Sequence, residues 1–124
     1  MKKTVYKLTT QDNKTRVGEM NETQWGLGCT FTADGQSDSL CNSHWIHAYA
    51  DPLLAVFMNP AHANIRNPVL WECDAKVGLD HADKLGCTSL TTLKICALPE
   101  VTTEQQVRFA VLAALSVYRL WKKY

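Results

Sequence analysis

At 124 residues, with 46% hydrophobic and 20% charged residues, the chain has the size and ordinary composition of one globular domain, which excludes wholesale disorder and allows a core without staples. A formal net charge of +1 excludes the broad basic face of a duplex nucleic-acid binder, whereas a compact ligand needs only a few well-placed cations. No apolar run of roughly 7–15 residues follows the two N-terminal lysines, and no stretch approaches about 18 uninterrupted apolar residues, so neither a secretory signal nor a membrane span is expected.

In chain order, 4–9 (TVYKLT) alternates and is β-branched, and reads as a strand. The polar stretch 11–23 reads as a turn or loop, and 25–32 (WGLGCTFT) as a second strand whose glycines admit a bulge or a close approach. A turn-rich loop, 33–43, precedes a strand at 44–50 (HWIHAYA). Asp51 and Pro52 suit the cap and first position of a short helix over 52–58, which should end near Asn59–Pro60. Almost wholly apolar, this helix must be buried. A loop over 61–68, a strand over 69–77, a glycine-containing loop over 78–87 and a strand over 88–98 follow. Thr102 and Thr103, with Gln105 and Gln106 in capping-box spacing, start a helix over about 103–122. Val107, Ala110, Val111, Ala114, Tyr118 and Trp121 form one stripe on it, and Leu112 and Leu115 lie on a second with Arg108 and Arg119. A helix this apolar needs cover on more than one side: the sheet on one, another subunit on the rest. The fold class is therefore α+β, a small antiparallel sheet packed with a short helix and a long C-terminal helix, oligomer-forming, as a single domain over 1–124.

The five cysteines, Cys29, Cys41, Cys73, Cys87 and Cys96, are odd in number and form no C-x-x-C, unlike a disulfide framework or zinc finger; inert thiols in a reducing cytosol are expected. Of the four arginines, Arg16, Arg66, Arg108 and Arg119, Arg108 lies near the start of the long helix. There, free N–H groups and a bidentate guanidinium make a phosphate site; an ion pair with Glu104, four residues earlier, is the alternative. Arg66 lies in a loop with Asn64 and Asn67, polar groups able to read a base or ribose, or simply solvated. Within 44–49, Trp45, His47 and Tyr49 share one face of a strand, where they either stack on a base or pack the core. His44 and His47 face opposite sides, so no metal pair and no cofactor is expected. Asp80, His81 and Asp83 cluster in a loop, as an acid–base group or a hydrated surface. No nucleophile elbow, metalloprotease helix, P-loop or dinucleotide fingerprint occurs, so no catalytic residues are expected and a binding protein is favoured over an enzyme.

Two long runs carry a resemblance: LCNSHWIHAYADPLLAVFMNPAHANIRNPVLWE, from Leu40 to Glu72, and TTLKICALPEVTTEQQVRFAVLAALSVY, from Thr91 to Tyr118. With the N-terminal KLTTQDNKTR and the TQWG that follows, they cover most of the chain, which resembles the phage Thoeris anti-defence sponge family, the first-described type. The resemblance implies a phage or prophage protein in the cytoplasm of the infected bacterial host. Such a protein sequesters cyclic ADP-ribose isomers made by TIR-domain enzymes, and cyclic oligonucleotides from cGAS-like enzymes, without degrading them. It also implies a hexamer with nucleotide pockets between subunits. Arg108, in T-T-E-Q-x-V-R-F, matches an arginine of the family pocket, and His81 with Thr91 or Thr92 are the nearest counterparts of its aromatic and polar side chains. Arg16 and Arg66 are further cations for a cyclic oligonucleotide. A cyclic-nucleotide-cleaving enzyme using the Asp80–Asp83 loop or Cys87, and an inhibitor that docks on a host defence protein through the apolar helix, are the alternatives.

Overall fold

The computed structural model describes residues 2–40, 42–81 and 83–122, with side chains inside the last helix described as far as Ser116. Its elements are β1 (Lys2–Thr9), β2 (Lys14–Thr15), β3 (Thr23–Gln24), β4 (Thr30–Thr32), β5 (Ile46–Ala48), α1 (Pro52–His62), β6 (Val69–Asp80), β7 (Leu85–Cys96) and α2 (Thr103–Lys122). It is a small α+β fold built on one antiparallel sheet.

The sheet runs β1-β6-β7, with β4 and β5 end to end along the free edge of β7. It also curls on itself. Leaving β5, the chain reaches Tyr49, whose backbone exchanges hydrogen bonds with Tyr6 of β1 (2.7 and 2.8 Å). One short segment thus touches both edges of the sheet and closes a small barrel. Three register shifts in the β6–β7 pair, between Glu72 and Leu79, supply the local bends that closure requires. Alternation in β1 sends Val5 inward to join Trp25, Trp71, Cys73, Ala75, Cys87 and Leu90 in the barrel core. Leu8 faces the other way, onto a second cluster with Tyr49, Ala55 and Leu70 beneath α1. Trp71 Nε1–H donates to buried Thr9 Oγ1 (3.0 Å), so both polar atoms enter the core satisfied.

Several elements differ from expectation. The stretch 25–32 is not one strand: Trp25 plugs the core, Gly28 and Cys29 exchange main-chain hydrogen bonds with Thr92 of β7, and the strand proper is Thr30–Thr32. The expected loop over 11–23 holds β2 and the start of β3, which pair as a hairpin of two-residue strands. The glycines of 78–87 do not mark a loop, because β6 continues to Asp80 and β7 begins at Leu85. Their role is spatial. A Cβ on Gly78 would lie 2.7 Å from the Trp45 ring, and one on Gly86 3.0 Å from it. The two bare backbones make the floor on which the indole lies, and Trp45 Nε1–H donates to Ser37 O (3.0 Å).

α1 starts as expected, with Asp51 Oδ1 accepting from Leu53 N–H (2.7 Å). It runs past Pro60 to His62, because Asn59 clamps the segment beyond. Its amide donates to Ile65 O and accepts from Ile65 N–H, both at 2.9 Å, while its carbonyl accepts from Ala63 N–H (2.9 Å). α2 opens with a capping box: Gln105 N–H donates to Thr102 Oγ1 (3.1 Å), and Thr102 N–H to Gln105 Oε1 (3.0 Å). The expected packing of α2 on the sheet is absent over its described side chains. All are exposed from Thr103 to Ser116 except Phe109, which stacks on Phe57 of α1 at 4.7 Å. Among the described side chains this is the ring contact between α2 and the rest of the fold, and Val107, Val111, Leu112 and Leu115 are exposed. Tyr118, Arg119 and Trp121 lie outside the described side chains. No described helix is long and apolar enough to cross a membrane.

Candidate functional site

A cleft of about 710 Å³ opens where β1, the β2–β3 hairpin, β5 and the segment after α1 meet. Lys7, Lys14, Arg16, Arg66 and Lys84 line it, against one carboxylate among the described residues, Glu19. The chain carries only 13 lysines and arginines against 12 acids, so a near-neutral protein has gathered five cations around one opening. Lys14 lies 3.8 Å from Asp12, whereas Lys7, Arg16 and Arg66 have no ion pair among the described residues. The field this creates favours an anion.

Lys7 is the unusual member. It alternates with Val5 on the inward face of β1 and is buried. Its ammonium donates to His47 O at 2.6 Å and lies 5.6 Å from the centre of a Trp25 ring. Burial, the largest influence, pulls its pKa down from 10.5 to about 8, with the Arg16 and Lys84 charges adding to the same direction. An anion arriving in the cleft would reverse this.

Arg16 follows β2 in a left-handed backbone conformation, φ +54°. For a residue other than glycine or asparagine that conformation costs about 1–2 kcal/mol. It turns the guanidinium toward His47, and Arg16 Nη2 donates to His47 Nδ1 at 2.9 Å. The other ring nitrogen, Nε2, donates to Leu40 O. An imidazole that accepts at Nδ1 and donates at Nε2 is neutral. Burial, chiefly, and the three neighbouring cations hold its pKa down at about 4. Across the cleft, Asn59 clamps the loop that carries Asn64 and Arg66. Asn64 and Asn67 adopt left-handed backbone, φ +51° and +48°, which asparagine tolerates best after glycine.

The remaining wall is aromatic. Tyr49 Oη and His62 Nδ1 share a hydrogen bond at 2.7 Å, and the rings lie nearly parallel, 10° apart. His62 Nε2 lies 3.7 Å from Asp83 Oδ2. Burial and then the Lys84 charge lower the His62 pKa, with Asp83 opposing, while burial raises that of Tyr49.

Three of the residues singled out from sequence, His47, Asn64 and Arg66, meet in this cleft with Arg16. The other five lie elsewhere. Trp45 is buried on its glycine floor. Thr92 is buried and accepts from Cys29 N–H (3.0 Å) while donating to Gly26 O. Thr91 shares a hydroxyl contact with Thr30 across the β4–β7 pair (2.7 Å). His81 is exposed in the β6–β7 connection, its backbone N–H on Lys84 O (3.1 Å). Arg108 is exposed on α2.

Sequence reading passed over Lys7, Lys84 and His62 as site residues, and named Tyr49 as a ring that either stacks on a base or packs the core. Lys7 had a signal: a lysine two residues after Val5, on the face of β1 that alternation assigns to the core. Free Cys73 and Cys87 are buried, and burial pushes their thiols up to about 12 and about 11, leaving them protonated and unreactive. No three His, Cys, Asp or Glu side chains converge as a metal site would require among the described residues. No family model matches the chain, nor does any curated protein or solved structure.

Proposed function

We propose that the protein captures a phosphate-bearing cyclic nucleotide signal and holds it intact, as a phage or prophage anti-defence sponge acting in the cytoplasm of the infected host. The observation that carries the reading is the cleft. Three cations without acidic partners among the described residues surround a space within the roughly 300–1,000 Å³ typical of small-molecule sites. A pyrophosphate carries about two charges, which two bidentate arginines and a lysine can match. Asn64 offers an amide donor and acceptor to a base or ribose, and Tyr49 and His62 offer ring surface. The resemblance narrows the ligand to cyclic ADP-ribose isomers, with cyclic oligonucleotides as a second class. Self-assembly belongs to the same proposal: Val107, Val111, Leu112 and Leu115, each 45–63% exposed, are an apolar face that another subunit would cover. Arg108 enters through the resemblance, as a pocket residue at such an interface.

A second reading has one specific observation in its favour. Tyr49 and His62 share a hydrogen bond on the cleft wall, with Asp83 3.7 Å behind His62, a pair that could exchange a proton, as an enzyme that opens the ring would need. The two readings part on what comes out. The protein is incubated with glycocyclic ADP-ribose, freed of unbound ligand and denatured, and the released material is identified by mass. Intact ligand in stoichiometric yield supports capture. A hydrolysed product supports the enzyme, and no retained ligand refutes both. Arg16→Gln and Arg108→Ala then place the ligand: loss with the first locates it in the cleft, and loss with the second alone locates it at the start of α2.

A further inference from the structure

Both cations on the inner wall of the cleft are anchored to one residue. Lys7 Nζ rests on the main-chain carbonyl of His47, and Arg16 Nη2 on its imidazole Nδ1, 2.6 and 2.9 Å away. The imidazole can accept from Arg16 only because its other nitrogen is committed to donating to Leu40 O. Leu40 is itself buried, so this carbonyl is a fixed point. Arg16 holds an unfavourable left-handed backbone, and among the described residues its guanidinium hydrogen-bonds to His47 Nδ1. A guanidinium has five donors; with one on His47, the others remain for a ligand.

Resting on the capture reading above, we infer that His47 is a positioning residue. Its ring, locked by Leu40, aims the Arg16 guanidinium, and its carbonyl holds Lys7, so that both cations converge on one phosphate position rather than providing diffuse positive charge. The imidazole touches no ligand in this scheme and acts through Arg16. Replacing the side chain leaves the carbonyl, and with it Lys7, in place, so the effect of the ring passes through Arg16 alone. A glutamine at this position can accept from Arg16 with its oxygen and donate to Leu40 with its nitrogen, whereas leucine can do neither.

The test uses the full chain and inorganic pyrophosphate, titrated calorimetrically. A charged hydrogen bond is worth roughly 10- to 100-fold in affinity. Arg16→Gln should therefore weaken pyrophosphate binding by about tenfold or more, His47→Leu by a similar factor, and the double variant no more than Arg16→Gln alone. His47→Gln should stay within about threefold of wild type. Ring ¹⁵N shifts of the free wild-type protein should report a proton on Nε2 and a lone pair on Nδ1. The inference is overturned if a folded His47→Leu binds like wild type, or if it costs the same factor with or without Arg16. A loss of about tenfold in His47→Gln, or a ring protonated at Nδ1, overturns it even where His47→Leu does not fold. A wild-type protein that ignores pyrophosphate brings down the cleft reading itself, and this inference with it.

Discussion

Replacing Lys7 by methionine should make the protein more stable and worse at binding. A drop in pKa from 10.5 to about 8 means that, near pH 7, folding carries a penalty of about 3 kcal/mol for keeping this amine charged. Methionine removes the penalty but also the bond to His47 O, worth about 1 kcal/mol, for a net gain of about 2 kcal/mol. The sign of the pH dependence follows. Between pH 8 and 10.5 the unfolded chain holds more of this proton than the folded one, so the wild type gains stability as pH rises through that window. The advantage of Lys7→Met should thus shrink to near zero by pH 10. Cys73 and Cys87, whose pKa values are raised on folding, lower stability above about pH 9 and are coupled to the Lys7 charge, so the comparison is made in a Cys73→Ala, Cys87→Ala background, where the difference isolates Lys7. Urea unfolding of the two chains at pH 7 and pH 10 measures it, alongside pyrophosphate titration. A variant less stable than wild type at pH 7, or a gap unchanged at pH 10, would show that Lys7 is a structural group and would refute the view that β1 carries a destabilising charge for the sake of an anion.

Gly78→Ala and Gly86→Ala should each destabilise by about 1–3 kcal/mol through overpacking against Trp45, read as a lowered urea midpoint with unchanged slope. Wild-type stability should decline as pH falls from 6.5 toward 4, because folding keeps His47 neutral; His47→Gln should flatten that limb in thermal melts across the range. Asp51→Ala should cost about 1 kcal/mol through loss of the α1 cap, measurable by the same denaturation. Ending the chain after Pro99 should leave the barrel folded, with its core tryptophan and tyrosine near-ultraviolet signal intact, since Phe109 on Phe57 is the ring contact that the described side chains of α2 make; collapse of that signal would mean the helix is integral to the core.

Local signals in the sequence were enough for the starts of α1 and α2. Asp51–Pro52 and the Thr102–Gln105 box act within one turn, and the hydrogen bonds that define them involve neighbours in sequence. Glycine was misleading where its partner is distant: Gly78 and Gly86 looked like turn residues, yet they lie within strands because Trp45, more than thirty residues earlier, needs their bare backbone. Pro60 likewise failed to end α1 because Asn59 bonds across it to Ile65. At the cleft, Arg66, Asn64 and His47 were visible as polar groups in suggestive company, and Arg16 as a scarce cation. What joins them is the closure of the barrel through Tyr6 and Tyr49, a long-range pairing that no local pattern encodes. Trp45, His47 and Tyr49 were placed on one strand face, but residue 45 precedes β5, and its ring turns to the glycines while the other two line the cleft.

The most direct test of the account is an amide-resolved titration: the ¹⁵N-labelled protein with glycocyclic ADP-ribose, each cross-peak followed to saturation. The account predicts saturable shifts centred on Lys7, Arg16, His47, Asn64 and Arg66, with the ligand spectrum recovered unchanged at the end. Shifts confined to α2 and the β7 outer face, or a ligand spectrum that converts to product, would contradict it.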